Sequence, residues 1–387
     1  MDFRQIAIIG AGIGGLAAAA LLHRAGHAVT VFERFASPRA VGSGLVIQPV
    51  GLAVLDAVGA GDAARSLGAR IARMVGHDGA RRVLSVSYRA GAPGLALHRA
   101  SLFGALWDVV QGLGVPVVTG APVVGCPLEG AQRWVDLADG RQGPFDLVVD
   151  AGGAGSVISP LQSRALPFGA IWGHVPWPES VPQMGELRQV YRGAARMAGI
   201  LPIGRLPGDA SPRAAVFWSM PVAELAGWAD RDIAAWKAEV VGLWPAMAPF
   251  LQGITQTDQM TVARYAHGTL WRPYGQALVH IGDAAHRASP QLGQGANMAL
   301  LDAYALVLAL QGDDALAAYA RMRRWHVRVY QGMSWAFTPM YQSHSRVLPA
   351  LRNRVLAPVA EWPVVRGLLT RLVSGDMIPP VAGVRFP

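Results

Sequence analysis

Residues 5–34 read QIAIIGAGIGGLAAAALLHRAGHAVTVFER. An apolar β-rich run leads through a glycine-rich turn into an alanine and leucine helix, and a second β-rich run ends at Glu33. A strand–helix–strand unit of about thirty residues is what a parallel sheet requires. Gly10, Gly12 and Gly15 fit the spacing G-x-G-x-x-G at the first strand-to-helix turn. The first glycine permits the tight turn, the second lets a pyrophosphate reach the backbone, and the third allows close helix–strand packing. Ile13 and Gly14 fall at the helix start, whose N–H groups and positive dipole end suit phosphate. Glu33 is placed to accept hydrogen bonds from a ribose and disfavours an adenosine 2′-phosphate, and Arg34 and Arg39 follow as possible aids to the adenosine or pyrophosphate. The ligand is therefore FAD or NAD, and this motif alone does not choose.

A second stretch does choose. Residues 282–303 read GDAAHRASPQLGQGANMALLDA, with Gly282, Gly293 and Gly295 around a helix start and Gly275 nearby. Glycines let a flat ring pack against main chain, and a helix start offers unpaired N–H groups to the negative charge of a reduced flavin. The stretch resembles the flavin-binding signature of single-component FAD monooxygenases, the p-hydroxybenzoate hydroxylase-like group. By that resemblance Asp283 would bond the ribityl chain, Pro290 would lie beside the isoalloxazine, and the Gly293–Asn297 backbone, including Ala296, would face its pyrimidine edge. Arg99, in LHRASLFGAL, matches an arginine that opens a helix and reaches toward the flavin, and Gly42 and Gly44 match a loop near the ring.

The resemblance implies an α/β fold: a Rossmann-type FAD-binding domain, an antiparallel β-sheet substrate domain and a helical C-terminal region. The expected boundaries are 1–75, 98–164 and 271–325 for the first, 76–97 and 165–270 for the second, and 326–387 for the third. It also implies a reaction: NADH or NADPH reduces FAD, O2 adds to give a C4a-hydroperoxide, and one oxygen passes to an aromatic or quinone-like small molecule. The expected substrate wall is Trp172, Tyr191, Met197, Trp218 and Met220, on strands of the middle region. No acid or base is assigned; His286, Pro290, Tyr191 and His174 are the candidates, and His286 reads more naturally as structural.

One signature departs from the family. Where members carry G-A-D-G-x-x-S-x-V-R, residues 150–159 read DAGGAGSVIS, so Gly152 and Ser159 stand where the Asp and Arg would. Ser159 cannot supply an arginine's bidentate grip. Asp150 reads as a turn-capping residue at a strand end. The alternatives kept open are a reductase or dehydrogenase of the same fold and a flavoprotein reduced by a partner. A halogenase reading fits poorly, because the only lysine, Lys237, lies on a middle-region helix.

Composition describes a globular protein with a substantial core: 52% hydrophobic and 15% charged residues over 387 positions. The net charge of +9 comes from 34 basic residues spread along the chain, with no basic run interleaved with aromatics, so nucleic acid is not expected. The single cysteine, Cys126, excludes an internal disulfide, and no cluster has metal-ligand spacing, so no metal is expected. No apolar run is long enough to span a bilayer and no signal peptide is evident, so a cytoplasmic monomer or homodimer is expected. The segment 334–375 mixes Trp, Leu and Arg, which suits a membrane surface; packing on the flavin domain or a second subunit is the preferred reading.

Overall fold

The computed structural model describes residues 4–37 and 43–384. Arg39 and Gly42 lie outside the described residues. Strand Gln5–Ile9 pairs in parallel with Ala28–Phe32 on one side and Leu147–Asp150 on the other. Leu278–His280 extends the sheet beyond Leu147–Asp150, again in parallel. Short strands Val117–Val118 and Tyr274–Gly275 complete a six-stranded sheet. Helix Ile13–Arg24 crosses between the first two strands, and its Leu16–Leu22 run is buried. Helix Gly295–Ala309 packs over it, so close that a Cβ at Gly14 would sit 3.1 Å from the Ala299 Cβ. A small meander, Val123–Phe145, forms around Gln132–Leu137 and Gly140–Phe145, with the turn at Ala138-Asp139 and Gly140 already paired with Leu137.

The second layer is an eight-stranded sheet. Its centre is Arg164–Pro176, Arg213–Pro221 and Arg196–Pro202, all antiparallel. Glu186–Arg192 follows, then Arg73–Asp78 in parallel and Arg81–Ser87. Thr261–Thr269 pairs on the other side, and the two-residue strand His286–Arg287 closes that edge. One face of this sheet is covered by helix Ile233–Leu243 and the turns after it, which bury Trp236, Met247 and Phe250 with Trp218. Asp232 caps that helix by accepting from Ala234 N at 2.8 Å. The other face looks toward the first layer.

A three-stranded sheet, Gly44–Ile47, Gly94–His98 and Ala69–Ile71, bridges the layers. Gly94–His98 thus pairs outside the second sheet, although the sequence grouped 76–97 with it. The long helix Ala315–Tyr341 and shorter helices to Ser374 finish the chain. Among the described residues no helix is long and apolar enough to cross a membrane.

Candidate active site

The glycines of the first loop divide by what surrounds them. Gly10 has φ +98°, and a Cβ there would stand 2.7 Å from the Ala151 carbonyl oxygen. A Cβ at Gly15 would stand 2.0 Å from the Gly10 oxygen. Those two are demanded by the fold. At Gly12 an added Cβ meets no protein atom within 4 Å. Its missing side chain therefore leaves space rather than filling it. Gly12 is the N-cap of a helix with no side-chain cap, so the first N–H groups face that space. Ile13 packs against the core. Glu33 is buried, its carboxylate accepting from Ala11 N at 2.8 Å and Phe35 N at 2.9 Å. Arg34 is exposed, lies over the Phe35 ring, and reaches toward Gly155.

The second loop is held from beneath by a residue the sequence reading passed over. Asp302, fully buried, accepts from Gly282 N at 2.9 Å, from His286 Nε2 at 2.6 Å and from Arg323 Nε at 2.7 Å. Burial alone would raise its carboxyl, but the charges of His286 and Arg323 overrule it and hold it at about 2. His286 is thereby committed to Asp302. Gly282 has φ +58° and Gly293 φ +61°, conformations that favour glycine. Gly295, like Gly12, has nothing within 4 Å of a Cβ position, and its helix also lacks a side-chain cap. Pro290 is exposed at the start of a single turn, and Ala296 leans on the core.

The Asn297 side chain is spent inside the protein. Its Oδ1 accepts from Gln48 N at 2.8 Å and its Nδ2 donates to the Val46 and Gly293 carbonyls. Only its backbone is left to face a ligand. Gly44 is also explained by packing: a Cβ there would lie 2.4 Å from Ile203 Cγ2.

A cleft opens beside the second loop, lined by Asp283, Ser289, Gln294, Gly295 and Ser334. Asp283 is reachable by solvent yet crowded by protein, and that desolvation raises its carboxyl while His286, Arg99 and Arg287 pull it back. Arg99 opens helix Arg99–Gly112, fixed by its N–H to the Ser43 carbonyl, and its guanidinium has no carboxylate partner among the described residues. Tyr265 lines the same region, is pushed up to about 12 by burial, and accepts from Trp172 Nε1 at 2.8 Å. Gln48 is fully buried with Nε2 unpartnered, 3.5 Å from the Cβ position of Gly293. Tyr265 and Gln48 carry no motif, so only the fold reveals them. Two side-chain-free gaps, two uncapped helix starts, a guanidinium without a carboxylate hydrogen bond among the described residues and an orphaned amide donor fit a phosphate-bearing, flat, polar-edged cofactor.

The altered third loop is closed on itself. Asp150, buried, accepts from Gly152 N at 3.0 Å, Ser156 Oγ at 2.7 Å and His280 Nδ1 at 2.7 Å. Ser159 Oγ donates to the Ala284 carbonyl at 2.5 Å, tying this loop to the second one.

The expected substrate wall splits across two faces of the large sheet. Trp172, Tyr191 and Met197 lie on the face opposite helix Ile233–Leu243, with Phe217 stacked on Trp172 at 4.3 Å and Tyr191 covered by Tyr341 and Arg352 of the C-terminal helices. Trp218 and Met220 belong to the helix-covered face and pack with Trp228 and Trp236. Strand alternation puts them there, so they cannot line the cleft. Tyr191 donates to Gln189 Oε1 at 2.7 Å and sits under Arg352, and burial holds its phenol well above the ordinary range. A phenol so held stays protonated near neutrality. His174 contacts Arg213 Nη1 at 3.2 Å and the His98 ring at 4.6 Å, and burial and Arg213 lower it.

This geometry defines a class: an α/β protein with a glycine-rich strand-to-helix loop, a second glycine-rich loop at a helix start, and an aromatic sheet face beside them. A FAD-binding domain model matches residues 4–102 and 246–327. The 3-amino-4-hydroxybenzoate 2-monooxygenase of Streptomyces cremeus is 30% identical over 351 residues, covering 82% of this chain and 83% of that one. The aurachin C monooxygenase/isomerase of Stigmatella aurantiaca is 29% identical, covering 82% of this chain and 84% of that one. The crystal structure of Klebsiella pneumoniae HpxO with FAD and uric acid superposes with a TM-score of 0.80 at 22% identity, covering 97% of this chain and 98% of that one. The chain belongs to the single-component FAD-dependent aromatic monooxygenases, the p-hydroxybenzoate hydroxylase-like family.

Proposed function

We propose that this monooxygenase uses NADH or NADPH and O2 to hydroxylate a small aromatic or quinone-like molecule held between the second loop and the Trp172 face of the large sheet. The observation that carries the reading is the pair of open glycines, Gly12 and Gly295, each at an uncapped helix start. Bound FAD, once reduced, activates O2 for transfer of one oxygen atom to the substrate. The protein does the rest. The N–H groups after Gly12 hold the pyrophosphate and Glu33 the ribose. Asp283 and Arg99 take the ribityl region, and the Gly295 helix start supports negative charge on the ring. Trp172, fixed by Tyr265, and Phe217 orient a flat substrate and keep water out. Chain segments 1–75, 98–164 and 271–325 serve the cofactor in this scheme, and 165–270 the substrate.

Relatives act on an aminohydroxybenzoate and on urate by their names, which supports an electron-rich, hydroxylated ring as the substrate class here. Purified protein, loaded with FAD, should oxidise NAD(P)H faster with such compounds and yield a product heavier by one oxygen. An unchanged mass, or a gain of two hydrogens, overturns the proposal.

A second reading, reduction of the flavin by a partner protein, is favoured by one observation. The 150–159 loop has used its polar groups internally and presents neither the Asp nor the Arg of the usual signature. Holoprotein that turns over only when another reductase supplies electrons would select it.

A further inference from the structure

We propose that the C-terminal helices form a face that docks on an anionic lipid bilayer. The run Val347–Ala360 is helical throughout, and helix Pro363–Ser374 follows. Val347, Leu351 and Val355 recur every four residues, which puts them on one side of the first run, and Val364 and Leu368 have the same spacing on the second. With Trp362 between them, these side chains are 40–77% exposed. They do not belong to a loose tail. Leu369, Leu372 and Val373 pack inward, and Arg352 is buried against Asp78 at 2.7 Å and over Tyr191 and Tyr341. A helix apolar on both sides and docked by only one has an uncovered face.

Charge selects the occupant. Arg346, Arg354, Arg366 and Arg371 flank the apolar residues, and none has a carboxylate partner among the described residues. The one acid in the run, Glu361, is already paired with Arg82 at 2.9 Å. Contact with the same face of a second copy would set these arginines against their own kind. Lipid phosphates would neutralise them, and tryptophan favours the headgroup boundary. The geometry is that of a segment lying on the interface, not crossing it. The segment expected to pack on the flavin domain or a second subunit packs on this chain through one side only, by Leu369, Leu372 and Val373.

FAD-loaded protein should co-sediment with phosphatidylcholine vesicles that contain phosphatidylglycerol, about tenfold more tightly than with phosphatidylcholine alone. Val364→Glu with Leu368→Glu, and separately Arg354→Gln with Arg366→Gln, should each weaken that binding roughly tenfold. FAD content and the rate of NAD(P)H oxidation in vesicle-free solution should not change. Failure to bind either vesicle overturns the proposal. So does a dimer of the unaltered protein that the Val364→Glu, Leu368→Glu pair splits while vesicles capture neither form.

Discussion

Replacing Asp302 by Asn tests the device that shapes the second loop. In the folded protein Asp302 meets Arg323 Nε, His286 Nε2 and Gly282 N with no exposure to water. Its carboxyl is held at about 2 against an ordinary 3.8. At about 1.4 kcal/mol per tenfold in proton affinity, that depression is worth about 2–3 kcal/mol of stability. Because the folded value is the lower one, the stabilisation is complete above 3.8 and is lost as pH falls toward 2. Asn keeps the shape but leaves Arg323 charged and buried without a counter-ion, which costs about 3–5 kcal/mol. Urea titration at neutral pH should show that loss, and FAD binding should weaken because Gly282 loses an anchor. Adding Arg323→Gln should recover much of the stability, since the penalty lies in the uncompensated charge. A loss below about 1 kcal/mol for Asp302→Asn, or no recovery in the double variant, refutes the reasoning.

Gly12→Ala should leave the stability of the FAD-free protein within about 0.5 kcal/mol, because no atom lies near the new Cβ, yet weaken FAD binding about a hundredfold. Gly15→Ala, whose Cβ would meet the Gly10 oxygen at 2.0 Å, should instead destabilise the fold by about 1–3 kcal/mol or more in thermal melts. Trp218→Ala should cost about 3–5 kcal/mol of stability, whereas Trp172→Phe should mainly raise the substrate KM, as steady-state kinetics will separate. Tyr265, pushed up to about 12, stays protonated through the neutral range, so Tyr265→Phe should lower turnover without moving the pH profile.

The first loop was legible because its signal is local: one strand, one turn and one helix place Gly10, Gly12, Gly15 and Glu33 without help from the rest of the chain. The family resemblance extended that reading to Asp283, Gly293 and Gly295. What stayed hidden is long-range. Asp150 and His280 lie 130 residues apart and meet only because parallel strands end side by side. Trp218 and Met220 looked like cleft residues because both faces of the central strand are apolar, so alternation gave no sign of which face looked inward. Gly44 and the Asn297 backbone were grouped with the ligand by the family resemblance; what the sequence did not show is that the glycine also packs on Ile203 and that the amide side chain bonds Gln48 and Val46.

The central claim is that this cleft joins a flavin to an aromatic substrate and inserts one atom of O2. The direct measurement is turnover of the FAD-loaded protein with NAD(P)H and a hydroxylated aromatic under isotopically heavy O2, with the product weighed by mass spectrometry. The account predicts one heavy oxygen atom per product molecule. A product whose added oxygen comes from water, or NAD(P)H oxidation that leaves every substrate unchanged, would contradict it.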